Sequence, residues 1–274
     1  MLRKLILISL LLSSSVALAQ DCSTQAYGIP DLNCDGEIQI VVMGDSLVFG
    51  FGDTKNKNKG GYITRARKAM PDVLIQNLGF QGLNTEGLLS IIKAAFDDDT
   101  SLKVKAALIS ADVIVLDLGR NDRWLFGEPV TAVKNLVDAG KSIQAEVKKI
   151  TKIAPLVVNA VIMLPNRGAQ GPWVKDFNAL VQKTNTALRP ADLRFDLVSK
   201  RLLGKDQIHP TSKGYDALAS TFVKYLKKKL PTRLNNWILK TRPDPVTVPT
   251  PTPTPTPTPV SDPVPSPTPG EIVG

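Results

Sequence analysis

The sequence predicts an α/β fold in which a parallel sheet is covered by helices on both of its faces. Between Glu37 and Leu230, short apolar runs rich in β-branched residues alternate with segments whose apolar residues recur at helical spacing. The apolar runs are nearly continuous, so each is expected to be buried on both sides, which is typical of parallel strands. Alternation of this kind favours a layered fold with the sheet in the middle.

Five of the apolar runs are predicted to be strands. They are Ile38–Met43, Val73–Leu78, Val113–Leu118, Leu156–Met163 and Leu193–Leu197. Three other segments carry a clear apolar stripe at helical spacing, and these are residues 130–150, 173–188 and 215–226. We assign the stripes to the core that packs on the sheet.

Composition limits this fold to one globular domain. The 274 residues are 43% hydrophobic and 22% charged, which excludes a wholly disordered chain. Twelve of the 21 prolines lie between Pro243 and Pro269, where almost no large apolar side chain is present to build a core. We therefore divide the chain into a signal peptide at 1–19, a cysteine-containing segment at 20–37, the globular domain at 38–232 and a disordered Pro/Thr-rich tail at 241–274.

The N-terminal residues predict that the chain is exported, to the periplasm or as a secreted protein. Arg3 and Lys4 precede the short apolar run Leu5–Leu12, and Ala17-Leu18-Ala19 provides the small residues of a cleavage site. The apolar run is too short to span a bilayer, and no transmembrane segment is predicted in the mature chain. The alternating prolines and threonines of residues 249–259 predict an extended polyproline II linker.

The only two cysteines, Cys22 and Cys34, follow the predicted signal peptide. An exported chain meets an oxidising compartment, so we expect them to form one disulfide. Asp31, Asn33 and Asp35 also have the spacing of the first half of an EF-hand type of calcium loop, although the loop's last position holds no carboxylate. We favour a turn held by the disulfide and keep calcium binding as the alternative.

The formal net charge of +9 is spread along the chain. It indicates a solvated, soluble surface, with attraction to anionic envelope polymers as the alternative. Only 5% of the residues are aromatic and no nucleic-acid-binding motif accompanies the charge, so no nucleic-acid partner is expected.

Polar residues follow the predicted strands at the sheet edge where parallel sheets bind ligands. Ser46 follows the first strand, and a serine hydroxyl becomes a nucleophile when a base takes its proton. His209 is the only histidine, so it is the one imidazole base available. Asp206 lies three residues before His209, a spacing that lets its carboxylate orient the ring and stabilise the imidazolium.

Ester cleavage also passes through a tetrahedral oxyanion, which needs hydrogen-bond donors already in place. The backbone N–H groups of Ser46 and Gly79 and the side-chain amide of Asn121 follow the first three strands and are the predicted donors. Phosphatase or nuclease chemistry is disfavoured, because a chain with one histidine offers no carboxylate/histidine metal cluster.

Four blocks in this order resemble the SGNH hydrolase family, which is also known as the GDSL esterases and lipases. The blocks are Gly44-Asp45-Ser46-Leu47, Gly79, Gly119-Arg120-Asn121-Asp122 and Asp206-Gln207-Ile208-His209, and the resemblance covers about Ile38 to Leu230. It implies a three-layer, flavodoxin-like sandwich with a parallel five-stranded sheet and helices on both faces. It also implies that Ser46, Asp206 and His209 are the catalytic triad, that Ser46, Gly79 and Asn121 form the oxyanion hole, and that neither a metal nor another cofactor is needed.

The resemblance implies a serine-type carboxylic ester hydrolase that works through an acyl-enzyme. The substrate is expected to be an acylated carbohydrate, a lipid or a small ester. Export and the Pro/Thr tail favour short acetyl esters on carbohydrate or envelope substrates. The alternative is a noncatalytic module that binds cell-wall polysaccharide and has kept the pocket.

Several neighbours of the blocks receive weaker assignments. Asp45 and Asp122 are expected to bind nearby backbone, and aromatic or cationic residues near the strand ends are candidates to line a substrate groove or an acyl wall. These candidates are Arg120, Trp124 and Trp173 for the groove and Phe49, Phe51 and Phe80 for the wall.

Overall fold

A computed structural model describes Cys22 and residues 24–98, 100–165, 170–184 and 193–241. The predicted signal peptide at 1–19 and the Pro/Thr-rich tail beyond Thr241 lie outside the described residues. Within these ranges, no helix is long and apolar enough to cross a membrane.

The centre of the molecule is a parallel sheet of four strands. In chain order the strands of the structure are β1 (Gln25–Ala26), β2 (Ile29–Pro30), β3 (Gln39–Gly44), β4 (Leu74–Gly79), β5 (Val113–Asp117) and β6 (Leu156–Asn159). β1 and β2 form a small antiparallel hairpin, and the other four form the main sheet in the order β4-β3-β5-β6. β3 therefore lies between β4 and β5, so the loops that leave its carboxyl end and theirs share one edge.

Helices cover both faces of this sheet, as the apolar runs predict. They are α1 (Ser46–Phe49), α2 (Gly61–Ala69), α3 (Thr85–Phe96), α4 (Leu102–Ile109), α5 (Pro129–Thr151), α6 (Gln170–Thr184), α7 (Ser212–Lys228) and α8 (Leu230–Thr241). Alternate residues of each strand enter two separate cores, because successive strand side chains point to opposite faces. Ile40 and Val42 pack with α2, α7 and α8, whereas Val41 and Met43 pack with α3, α4, α5 and α6.

The predicted fifth strand, Leu193–Leu197, is shorter than expected. Val161 forms a parallel bridge with Arg194, and its N–H and C=O bond to Leu193 and Phe195. The chain then turns into a 3-10 helix at Phe195–Leu197. The segment thus takes the fifth place beside the extension of β6 but contributes one bridge instead of a full strand.

The N-terminal segment is tied to the sheet by a buried carboxylate. Asp112, directly before β5, accepts the backbone N–H of Leu32 at 2.5 Å, of Asn33 at 3.4 Å and of Gln39 at 2.8 Å. Cys34 is joined to Cys22 in a disulfide, as the sequence predicts.

The candidate calcium residues have other bonding partners. Asp31 accepts the N–H groups of Cys34 and Gly36, and Asp35 accepts the N–H of Glu37 and the side-chain amide of Asn33. These bonds close a turn of the kind that we favoured over calcium binding.

Helix α8 extends the folded part beyond the predicted domain boundary at residue 232. Leu230 and Leu234 are fully buried in the core on the α2 side of the sheet. The Trp237 ring nitrogen donates to the carbonyl of Ala154, just before β6. The helix is therefore an integral part of the domain.

Candidate active site

The nucleophile candidate stands on a tight turn between β3 and α1. β3 ends at Gly44, Asp45 caps the helix by accepting the N–H of Leu47 at 2.9 Å, and Ser46 is the first residue of α1. A Cβ at Gly44 would overlap the Val48 side chain and the carbonyl of Asp117. Only glycine therefore lets the chain turn so sharply here and present the Ser46 hydroxyl at the sheet edge.

The structure brings Ser46, His209 and Asp206 together in a continuous chain of hydrogen bonds. Ser46 Oγ lies 2.8 Å from His209 Nε2, and His209 Nδ1 lies 2.7 Å from Asp206 Oδ2. With Nδ1–H donating to the carboxylate, Nε2 is free to accept the serine proton. The geometry is that of a nucleophile, a base and an orienting acid.

Asp206 is held in its charged form by the loop around it. Its Oδ1 accepts the backbone N–H groups of Ile208 and His209, each at 3.0 Å. Burial raises the pKa of Asp206, but these bonds and the bond from the His209 ring outweigh it, so the net pKa lies below the usual value. An ionised Asp206 can stabilise the imidazolium that forms when His209 accepts a proton.

The His209 loop is fixed on both sides. The carbonyl of His209 accepts the N–H of Gly204 at 2.7 Å, and the Phe51 ring packs edge-on against the imidazole with centroids 4.7 Å apart. Directly afterwards, Thr211 caps α7 by accepting the N–H of Gly214. These contacts leave the imidazole little freedom to swing away from Ser46.

Asn121 lines the same cavity as Ser46 and is oriented by the neighbouring loop. Its side-chain amide donates to the carbonyl of Leu83 at 2.8 Å. The amide has two hydrogens, so the second remains for a ligand. Asp122 links the same two loops, because its carboxylate accepts both the N–H and the hydroxyl of Thr85.

Gly79, the predicted second oxyanion donor, has a different role, and this assignment needs correction. It is the last residue of β4, and its N–H is donated to Asn77 Oδ1 at 2.9 Å. A Cβ at this position would lie 2.6 Å from the Phe49 Cα. Gly79 therefore allows α1 to pack closely on β4.

Gly82 is the residue that the sequence analysis missed. It lines the cavity next to Ser46, has a positive φ of 75°, and its N–H makes no hydrogen bond within the described part of the chain. Gly82 lies in the loop after β4, whereas Gly79 is the last residue of that strand. The position at which β4 ends is therefore the signal that distinguishes the two glycines. Gly82 has the free donor that Gly79 lacks.

A buried charge cluster lies behind the nucleophile turn. Arg120 bonds Asp45 Oδ2 at 3.1 Å and Asp117 Oδ1 at 2.7 Å, and Asp117 also accepts the hydroxyl of Tyr62 at 3.0 Å. Burial raises the pKa of Asp45, and the charge of Arg120 opposes that shift. The ion pairs fix the cap of α1 and so the direction in which Ser46 points.

A cavity of about 270 Å³ opens in front of Ser46 and His209. Its described lining residues include two arginines and no carboxylate. They are Ser46, Leu47, Phe51, Gln81, Gly82, Arg120, Asn121, Arg123, Trp124, Met163, Leu164, Pro165, Val174, Leu203, Ile208 and His209. The cavity is therefore largely apolar with a positive edge.

The weaker lining candidates divide between this cavity and the core. Arg120, Trp124 and Phe51 contribute to the cavity wall, whereas Phe49 and Phe80 are not among its lining residues. Trp173 packs instead on Phe177 with stacked rings 5.4 Å apart and donates its ring N–H to the carbonyl of Phe126.

No group of three or more His, Cys, Asp or Glu side chains within the described ranges is placed to hold a metal ion. The polar groups that converge on the cavity are a hydroxyl, an imidazole, an amide and backbone N–H donors. This set suits acyl transfer, in which a hydroxyl attacks a carbonyl and the oxyanion is held by hydrogen bonds.

Comparisons with known proteins agree with this chemistry. A model of the GDSL-like lipase/acylhydrolase family matches residues 42–217. None of the curated proteins matches the sequence.

Solved structures resemble this chain in fold at low sequence identity. A lipolytic protein of the G-D-S-L family from Veillonella parvula is 16% identical with a TM-score of 0.54, over 70% of this chain and 98% of its own. The psychrotrophic esterase EstA from Pseudoalteromonas sp. is 18% identical with a TM-score of 0.54, and the match covers 71% of this chain and 99% of EstA. Est24, a carbohydrate acetylesterase from Sinorhizobium meliloti, is 14% identical with a TM-score of 0.53, and the match covers 69% of this chain and 98% of Est24.

The family model spans the segment from β3 to α7, which contains the turn of Ser46 and the loop of His209. The match covers more than half of the sequence, and the architecture agrees with it. The chain belongs to the GDSL-like lipase/acylhydrolase family.

Proposed function

We propose that this protein is an exported serine ester hydrolase that removes acyl groups, short acetyl groups above all, from carbohydrate or envelope esters. The observation that carries the proposal is the hydrogen-bonded chain from Ser46 through His209 to Asp206 at the mouth of the cavity. Export is proposed from the signal-like residues 1–19, and fractionation of cells that express the full chain tests it.

In the proposed first step, Ser46 Oγ attacks the acyl carbonyl while His209 Nε2 takes the hydroxyl proton. The oxyanion is held by the N–H groups of Ser46 and Gly82 and by the side-chain amide of Asn121. His209 then gives its proton to the leaving alcohol, and the acyl group stays on Ser46. Water attacks this ester with the same imidazole as base, which releases the acid and restores the hydroxyl.

The size and surface of the cavity support a short acyl group. About 270 Å³ with Phe51, Met163 and Leu203 in its wall suits a small apolar group better than a long lipid chain. A carbohydrate acetylesterase among the structural neighbours supports the choice of a sugar as the alcohol.

Two substitutions test the mechanism with 4-nitrophenyl acetate and butyrate as substrates. Ser46→Ala and His209→Ala are each expected to reduce kcat by several orders of magnitude, because each removes an essential member of the same relay. Ser90→Ala, an exposed serine on α3, is the matched control and should keep wild-type activity.

Full activity in the Ser46→Ala protein would refute the proposal. A fluorophosphonate probe gives an independent readout, since it should label wild-type protein and leave the Ser46→Ala protein unlabelled. An unlabelled wild-type protein that still binds insoluble wall polymer would support the noncatalytic binding module instead.

A further inference from the structure

Arg123 lies at the positive edge of the cavity and has no counter-ion within the described ranges. It sits in the 3-10 turn Asp122–Trp124 that follows β5, two residues from Asn121. The other cavity arginine, Arg120, is neutralised by two buried carboxylates. Within the described ranges Arg123 makes no ion pair, and its Nε, like that of Arg120, is buried without a hydrogen-bond partner. Burial lowers the pKa of Arg123, which reflects a charge that is partly removed from water and not compensated.

Trp124 lies next to Arg123, and its exposed indole offers a surface for a ring-shaped ligand. The Arg123 guanidinium lies 4.1 Å from the centre of the Trp124 ring, a cation–π contact that orients it. The indole is nevertheless 70% exposed, although it lines the cavity. An exposed indole presents a flat apolar surface, and a guanidinium fork presents paired donors to a planar anion.

An uncompensated guanidinium and an exposed tryptophan in the wall of one cavity have one common explanation. Arg123 lines the cavity with a charge that no described carboxylate neutralises, so an anionic group of a ligand in the cavity finds its counter-charge there. In the proposed mechanism the acyl group lies against the apolar wall beside Ser46, so the alcohol part of the ester extends toward the exposed Trp124.

We propose that Arg123 and Trp124 form a subsite for the carboxylate-bearing sugar of an acylated acidic saccharide. The carboxylate binds the Arg123 guanidinium, and the sugar ring lies on the part of the Trp124 indole that the guanidinium leaves exposed. This inference rests on the proposed esterase function and adds the substrate class, which is an O-acetylated uronic acid unit.

The test compares O-acetylated galacturonic acid with its methyl ester. The two share the acetyl group and the ring, and the methyl group removes the charge of the carboxylate. Because the methyl ester is itself cleavable, release of acetate is the quantity measured for both. The wild-type protein should show a higher kcat/KM for the acid. In Arg123→Gln the ratio of the two kcat/KM values should fall about 10- to 100-fold, the effect of losing a charged hydrogen bond.

Two further variants separate recognition from folding. Arg123→Lys keeps the charge without the planar fork and should restore part of the preference for the acid. Lys103→Gln removes an exposed charge on α4, outside the cavity lining, and should leave the ratio unchanged. Thermal unfolding of each variant reports whether the fold is intact. If Arg123→Gln does not fold, Arg123→Lys provides the test, because its ratio of kcat/KM values should be lower than that of the wild type.

The outcomes distinguish this inference from the proposed function. Hydrolysis of 4-nitrophenyl acetate with no preference for the acid, or with a preference that survives Arg123→Gln, would overturn the subsite and leave the esterase intact. Turnover of the nitrophenyl ester but of neither sugar ester would also overturn the subsite. If no ester at all is cleaved, it is the proposed function that fails.

Discussion

In the proposed mechanism Asn121 serves two purposes with one side chain. One amide hydrogen fixes the loop of Gly82 through the carbonyl of Leu83, and the other is left for the oxyanion. His209 and Ser46 could be assigned from the sequence because the chain contains a single imidazole and a serine at a strand end.

Replacing Asn121 by alanine is expected to lower kcat about 10²- to 10³-fold, the usual effect of removing one oxyanion donor. KM should change far less, because the interaction is made mainly in the transition state. Steady-state kinetics with 4-nitrophenyl acetate measure both constants. An unchanged kcat would remove Asn121 from the oxyanion hole.

The two glycines after β4 show where sequence reasoning stops. Gly79 and Gly82 are separated by two residues, and either spacing is compatible with a donor near a strand end. Their roles depend on the strand pairing that places Gly79 opposite Gly44 inside the sheet. Arg123 likewise carries no signal in the sequence, because its lack of a partner is a property of the folded chain.

At the scale of elements, the packing of α1 on β4 determines where Ser46 lies. Gly79→Ala is expected to push α1 outward, since the new methyl group meets the backbone of Phe49, and to lower the free energy of unfolding by about 1–3 kcal/mol. Esterase activity should fall with it.

Gly127→Ala is the matched control, because a Cβ there meets nothing within 4 Å. Urea unfolding and initial rates of both variants check the prediction. Equal stability of the two variants would contradict the close packing.

The disulfide closes the loop between Cys22 and Cys34, which are 12 residues apart. Reduction should lower the free energy of unfolding by up to about 3 kcal/mol in the chain-entropy model. Urea titrations with and without dithiothreitol measure the difference. The Cys22→Ser/Cys34→Ser double variant should already have the reduced stability and should not respond to the reductant, and a response there would assign the effect to another cause.

The strands of the main sheet could be predicted because β-branched, apolar residues occupy both of their faces. The fifth strand could not be predicted accurately, since its apolar residues Leu193 and Phe195 are equally compatible with the bridge and 3-10 helix that form. Helix α8 escaped prediction because it lies directly before the proline-rich tail and carries Pro231 in its first turn, although Leu230, Leu234 and Trp237 recur at helical spacing.

For the molecule as a whole, stability is expected to fall as the pH rises from about 4 to about 7. Burial raises the pKa of Asp112 from 3.8 to about 7, and the backbone N–H groups that it accepts only partly offset this. In that range the folded protein keeps a proton that the unfolded chain has released, so each pH unit removes at most about 1.4 kcal/mol for this group. Burial raises the pKa of Asp45 and Asp122 as well, with the same sign.

Urea unfolding at several pH values measures this trend. Asp112→Asn should be less stable at pH 4 and should depend less on pH, because the titrating group is gone. Asp98→Asn, which alters an exposed carboxyl, should keep the wild-type slope. A slope in Asp112→Asn as steep as that of the wild type would locate the effect elsewhere.

The hydrogen bond between Ser46 and His209 joins residues 163 positions apart. During synthesis the proposed nucleophile therefore emerges from the ribosome long before the proposed base. A fragment that ends before His209 lacks the proposed base and is expected to have no esterase activity. Under the proposed mechanism, activity therefore requires the completed fold that brings these two distant residues together.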